Sequence, residues 1–332
     1  MNIFLRKNKI LSFNVITCLI LLVSPIASQG CDLCSVYTGE GAKANRGTGF
    51  YTALATQYTN FDTLQLNGNE IPNPAGEHLD SWITQAVFGY RYSRWAVQLN
   101  VPYIHRSFDR LTEDGVESGR EHGFGDSTLL GSYRLVSKSD DDWNFVQEFL
   151  FGVKFPTGSA DRLGEEGEEG EEHHDDDHED EHGASGIHGH DLTLGSGSVD
   201  YLLGTNAFAR CRRFVFEASI YWSIRTRGDF DYEFANDLIW EVGPGYYLIL
   251  DEDRTLVLAV VASGEYKGLD TAGGESEPGS DITAWYVGPK LAATFGDRLA
   301  VEIQGVVPVS IDNSDLTIVP DYRIRAGIVF NF

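Results

Sequence analysis

A chain in which apolar and polar residues alternate along one stretch after another has few folds open to it. The alternation is plainest from Val319 to Phe332. Tyr322, Ile324, Ala326, Ile328, Phe330 and Phe332 fall on one face, and Arg323, Arg325, Gly327, Val329 and Asn331 on the other. Successive side chains of a strand point to opposite sides, so such a strand separates two environments. Its place at the end of the chain, with an aromatic as final residue, predicts the closing strand of a bacterial outer-membrane barrel. In lipid only a closed sheet leaves no edge unpaired.

The rest of the chain supplies the other strands. The pattern predicts twelve, at about 47–58, 80–92, 95–107, 125–137, 143–156, 198–210, 213–225, 236–250, 255–267, 282–295, 299–310 and 319–332. The third sets Trp95, Val97, Leu99, Val101 and Tyr103 against Gln98 and Asn100. The fifth sets Trp143, Phe145, Phe149, Phe151, Val153 and Phe155 against Glu148 and Lys154, and the seventh sets Phe214, Phe216, Ile220 and Trp222 against Glu217 and Arg225. Each meets the roughly 9–11 residues that a tilted strand needs to cross a bilayer. Short connections such as Ser93-Arg94 and Cys211-Arg212 alternate with long ones at 59–79, 108–124, 157–197, 226–235, 268–281 and 311–318. Short periplasmic turns, long outer loops and an even strand number are the layout of bacterial barrels. Trp82, Tyr103, Trp143, Trp222, Trp240 and Trp285 are candidates for the interfacial girdles. The expected fold is thus all-β, a transmembrane antiparallel up-and-down β-barrel of about twelve strands. A soluble secreted sandwich is the alternative, and it accounts poorly for apolar outward faces on nearly every strand.

Composition agrees. Only 42% of the residues are hydrophobic, because half of each strand faces a polar lumen. The N-terminus reads as an export signal. Arg6, Lys7 and Lys9 precede an apolar core, Val15 to Val23, too short to span a bilayer, and small residues lead to Cys31. The expected divisions are a signal peptide (1–30), a periplasmic Cys-containing leader (31–46) and the barrel (47–332), with a disordered acidic, His-rich extracellular loop over 159–191. Net charge is -25, and residues 164–191 hold thirteen acids and no Lys or Arg. That acidity argues against a nucleic-acid partner. The partners expected are outer-membrane lipid, a small-molecule or ion substrate, and the barrel assembly machinery, engaged through the C-terminal strand.

Phe155-Pro156-Thr157-Gly158, Gly123-Phe124-Gly125-Asp126, Gly228-Asp229-Phe230 and Gly243-Pro244-Gly245 are strand-end and turn phrases. With them the chain, over most of 47–332, resembles the transporter-like outer-membrane barrels grouped with the meta-pathway phenol-degradation proteins. The resemblance implies outer-membrane passage of small compounds, aromatic ones being a candidate class. The Cys leader and the His-rich loop are not features it leads one to expect.

The third long loop carries the strongest local chemistry. Glu165 to Asp191 interleaves carboxylates with His173, His174, His178, His182, His188 and His190, six of the nine histidines. Imidazole and carboxylate together suit Zn, Cu or Ni. A low-complexity tract offers interchangeable ligands rather than a fixed cage, so weak, multi-site binding is expected. The other reading is a solvated acidic loop. His188 and His190, two apart on a segment expected to be extended, share a side. They could chelate one ion with Asp191, or form a hydrogen-bonded pair pinning the loop over the barrel mouth. Gly195-Ser196-Gly197-Ser198 reads as a flexible lead into the sixth strand.

The thiols of the mature chain are Cys31, Cys34 and Cys211. An oxidising periplasm favours disulfides: Cys34 with Cys211 if Cys31 is lipidated, Cys31 with Cys34 otherwise. A Cys31/Cys34 soft-metal site is a further alternative. By strand register Glu148, Lys154, Glu217, Arg225, Glu241, Lys290, Glu302, Arg323 and Arg325 face the lumen, where they either pair and fill it or line a thin polar path. His105-Arg106-Ser107 puts a histidine and a serine on one side of a strand end, but no partnering acid can be placed, and no catalytic residue is assigned. Two functions are carried forward. One is a channel or transporter for small solutes, gated or fed by metal at the third loop. The other is a plugged metal-binding surface barrel without transport.

Overall fold

The computed structural model describes residues 48–112, 114–169 and 185–332. Twelve antiparallel strands, numbered β1 to β12, close on themselves. They are β1 Gly49–Leu66, β2 His78–Tyr92, β3 Trp95–Thr112, β4 Ser127–Ser139, β5 Trp143–Phe155 and β6 Asp200–Cys211, followed by β7 Phe214–Ile224, β8 Asp237–Leu250, β9 Arg254–Lys267, β10 Ile282–Phe295, β11 Leu299–Asp312 and β12 Leu316–Asn331. Each pairs with the next, and β12 pairs back onto β1 from Asn331 against Tyr51 to Leu316 against Leu66. Closure satisfies the backbone of both terminal strands, which an apolar solvent demands.

The alternation explains the wall. On β3, Trp95, Val97, Leu99 and Tyr103 are exposed, while Gln98, Asn100 and Arg106 are buried. Strands β5, β7, β10 and β12 repeat this, so apolar side chains cover the outside and polar ones line the inside. A one-residue slip in register would reverse every strand, which makes the pattern itself a strong specification. Outward aromatics gather at two levels. Near the short turns lie Phe50 against Tyr90 and Trp95 against Tyr133, both with ring centroids 4.6 Å apart. Near the long loops lie Tyr58 against Trp82 at 4.6 Å and Trp240 against Trp285 at 5.0 Å. Amphipathic rings at both levels bracket an apolar band, the arrangement of a membrane-spanning barrel.

The structure departs from the sequence reading above the outer belt. β1 runs on to Leu66 and β3 to Thr112, well beyond the expected ends. β1 turns at Asn67-Gly68, both with positive φ as a tight hairpin requires, into a short strand, Asn69–Ile71. β3 turns back along Gly115–Phe124. Outside the bilayer the outer face no longer has to be apolar, so Asn60, Asp62 and Asp109 sit there and the alternation that marks a membrane strand fades. At this level the inner face is apolar instead, with Phe61, Leu64, Leu79 and Phe108 buried. Something must cover that apolar patch.

Candidate functional site

What covers it is the third loop. Its described parts, 156–169 and 185–199, turn inward rather than out into solvent. Short helical pieces α1 (Gly164–Glu169) and α2 (Gly189–Leu192) flank the undescribed residues. Ile187 and Leu192 pack with Phe61, Leu64, Leu79, Phe108 and Ile318, and Leu194 packs with Ile83 and Ile104 on the inner wall. Ala160 and Leu163 pack with Tyr232 and Phe234 of the next loop. Fully burying one Leu or Ile is worth roughly 1.5–3 kcal/mol, so these few apolar residues suffice to hold an otherwise polar loop inside the mouth. The expectation of a disordered loop over 159–191 is therefore corrected for 159–169 and 185–191. Charge density along the segment outweighed, in the sequence reading, the apolar residues spaced through it.

Polar contacts fix the re-entry. Arg106, buried on β3, donates to the backbone carbonyls of Asp191 and Thr193. Asp126 accepts from the Gly158 N–H at 3.0 Å and from the Ser196 N–H and hydroxyl at 2.9 Å, and Lys154 lies 3.1 Å from it. The Thr157 hydroxyl donates to the Gly125 carbonyl. A Cβ on Gly195 would meet Asp126 Oδ1 at 2.7 Å and the Gly158 backbone at 2.8 Å, so only glycine allows this approach. Three of the phrases that carried the family resemblance meet here, with Gly228-Asp229 closing against Ser196 and Gly197. The segment expected to be a flexible lead, 195–198, is instead buried at Ser196 and Ser198. Ser196 accepts from Lys154 at 2.6 Å, and Ser198 donates to Asp200 at 2.8 Å.

Below the loop the lumen is crossed by ion pairs. Glu148 lies between Arg91 (2.8 Å) and Arg134 (3.2 Å). Lys154 meets Asp200 at 2.6 Å, and Arg225 bridges Asp200 (2.8 Å) and Asp237 (2.6 Å). Lys290 lies 2.9 Å from Glu217 and 3.5 Å from Glu302, Arg325 lies 3.0 Å from Glu241, and Arg323 pairs with Glu265 at 2.5 Å. Several join strands that are not neighbours, such as β7 to β10 and β8 to β12, and so span the interior. Paired charges satisfy each other where isolated ones could not stay ionised. Between this network and the loop lie two small cavities. One of about 40 Å³ is lined by Asn100, Asp126, Lys154, Asp200 and Arg225, and one of about 70 Å³ by Arg106, His190, Asp191, Glu265 and Asp281.

The structure brings three of the expected metal ligands together. His188, His190 and Asp191 each place a ligand atom within 4.8 Å of the others. The segment is not extended. His188 caps the helical turn α2, and the two imidazoles stack with centroids 5.3 Å apart and planes 10° apart. Sequence reasoning missed Glu166, whose carboxylate lies 2.9 Å from His190 Nδ1 and also accepts the His190 backbone N–H. Burial pushes the Glu166 carboxyl up, but the charge and hydrogen bonds of His190, with His188 nearby, bring it down to about 2. Burial pushes His190 down, but Asp191 and Glu166 raise it to about 9. The pair is therefore imidazolium and carboxylate. Nothing in the tract's repetitive sequence singles out this one glutamate among its neighbours. His173, His174, His178, His182, Cys31 and Cys34 lie outside the described residues, as do 1–46. Cys211 is exposed at the end of β6. His105 and Ser107 point outward, and Asp80, the acid across from Ser107, is engaged by the Tyr58 hydroxyl at 2.6 Å and Asn60 at 3.2 Å.

A closed twelve-stranded barrel with an apolar, aromatic-belted exterior and a polar interior has the architecture of bacterial outer-membrane proteins. No family model matches the chain, and no curated protein matches its sequence. Among solved structures, an outer membrane channel from Pseudomonas putida F1 is similar to it over 90% of this chain and 100% of that one, with a TM-score of 0.61 and 14% sequence identity. The translocator domain of autotransporter NalP from Neisseria meningitidis aligns over 89% and 92%, with a TM-score of 0.43 and 11% identity. A Pseudomonas aeruginosa FadL homologue aligns over 86% and 90%, at 0.36 and 10%. The first of these shares the barrel fold, which places the chain among outer-membrane barrels.

Proposed function

We propose that the chain is an outer-membrane channel for small solutes whose third loop folds back into the barrel and sets its aperture. The observation that carries this is the re-entrant segment 185–198, held by Arg106 and Asp126 over a lumen lined with paired charges. Inward Arg, Lys, Asp and Glu suit small polar or charged solutes. Membership of the phenol-degradation-like barrels, on the strength of the shared phrases, would add small aromatic compounds.

The test is single-channel conductance of the purified full chain in a planar bilayer, compared with a variant lacking 165–190. A steady small conductance that grows after deletion is expected. A silent bilayer from both, with folding checked by heat-modifiable gel migration, overturns the channel. The insertion of the loop gives the plugged barrel its one point of support, and that silent outcome is its signature.

A further inference from the structure

We infer that the foot of the third loop is a binding site for one divalent first-row transition ion, with His188, His190 and Asp191 as ligands and Glu166 as the carboxylate that orients His190. The site is separate from the weak, interchangeable binding expected of the upstream histidines.

Four observations support it. Two imidazoles and a carboxylate already stand within 4.8 Å of one another. A zinc ion with ligand bonds of about 2.1 Å in tetrahedral geometry sets its ligand atoms roughly 3.4 Å apart, so the cluster needs only to draw together slightly. His190 is also engaged on both ring nitrogens by acids: Nδ1 lies 2.9 Å from Glu166 and Nε2 3.7 Å from Asp191. Metal-binding histidines characteristically donate their other ring N–H to a carboxylate, which fixes the ring and raises its basicity. Here Nδ1–H to Glu166 leaves Nε2 aimed at the Asp191 carboxylate, where the ion would sit.

The third observation is a buried carboxylate oxygen left without a partner. Glu166 is 3% exposed, and its second oxygen, Oε2, is buried with no hydrogen-bond partner among the described residues. An ion that takes Nε2 sends any proton on that nitrogen to water. The fourth is room. His190 and Asp191 line the cavity of about 70 Å³, enough for waters to complete a coordination shell. The donor set, nitrogen with oxygen and no sulfur, selects Cu(II), Ni(II) or Zn over Ca or Mg.

The probe is Cu(II) added to the full chain after removal of adventitious metal, in a background where His173, His174, His178 and His182 are all changed to Asn. Binding of one ion per barrel, with electron paramagnetic resonance showing two coordinated nitrogens, is expected. His188→Asn in that background should abolish the site. His188 is the less buried of the two histidines and does not pin the loop to Glu166, so its loss leaves the fold intact, as gel migration will show. Glu166→Gln should weaken binding about ten- to a hundredfold without removing the nitrogen signal. No stoichiometric binding in the tract-substituted chain overturns the site, and so does binding that survives His188→Asn. Both readouts are of binding, so this inference and the channel can fail independently.

Discussion

Glu166 and His190 keep each other ionised in a place where neither would stay charged alone, and this gives the loop a defined pH window. For Glu166, with its carboxyl brought down to about 2, the contribution is fully present above the ordinary carboxyl value of 4.5 and is lost as pH falls through about 2. For His190, raised to about 9, it is fully present below 6.5 and is lost as pH rises through about 9. The two are one interaction seen from both partners and are not added. The other charged or titratable groups around the imidazole are Asp191 and the stacked His188 on the loop, and Arg106, Glu265, Lys267, Asp281 and Arg323 around the shared cavity, and the Tyr232 ring stacks on it. In chelator-treated protein the loop should therefore stay docked from about pH 4.5 to 6.5 and loosen toward pH 9 and above. Single-channel recordings should show a steady small conductance at pH 6 and fluctuate at pH 9.5. Glu166→Gln should fluctuate at both. Recordings unaffected by pH in the unmodified chain would show that the pair does not restrain the loop.

The loop as an element is tethered by a few apolar side chains, and Leu192, fully buried between β1, β2, β3 and β12, is central among them. Leu192→Ala should weaken docking by about 2–5 kcal/mol, enough to free the loop much of the time while the barrel, which does not depend on it, stays folded. The expected result is larger, unsteady conductance with unchanged heat-modifiable migration. Conductance equal to that of the parent chain would mean that Arg106 and Asp126 hold the loop alone. The same element shows what was and was not legible beforehand. The strands could be read because every one of them repeats a physical demand, lipid outside and water or charge inside, so Trp95-Ala96-Val97-Gln98-Leu99-Asn100 announces itself. The loop makes its contacts once, through residues far apart in sequence. Ala160, Leu163, Ile187, Leu192 and Leu194 are its apolar exceptions, and they are what it buries, but no periodicity marks them. Glu166 was hidden for a different reason: it is one of many glutamates in a repetitive run, and only the fold distinguishes it. The glycines of Phe155–Gly158 and Gly123–Asp126 were visible as phrases, while their meeting at Asp126 needed three dimensions.

At the scale of the molecule, the wall is held to itself across the lumen as well as around the sheet. Arg325 on β12 reaches Glu241 on β8, Lys290 on β10 reaches Glu217 on β7, and Arg323 on β12 reaches Glu265 on β9. In the layer formed by Glu217, Glu241, Glu302, Lys290 and Arg325 the acids outnumber the bases. If solutes pass through this layer, removing a base tips it further negative. Arg325→Met should then move the reversal potential in a salt gradient toward cation preference. The shift should be larger in dilute salt, since the screening length shrinks from about 10 Å at 0.1 M to about 3 Å at 1 M. Adding Glu241→Gln to that variant removes the acid left behind and should bring the potential back toward the parent value, which separates a charge effect from a change of shape. A conducting Arg325→Met channel with an unaltered potential in dilute salt would mean that solutes bypass this layer, and the route would then have to be sought along the opposite wall, past Arg91, Glu148 and Arg134.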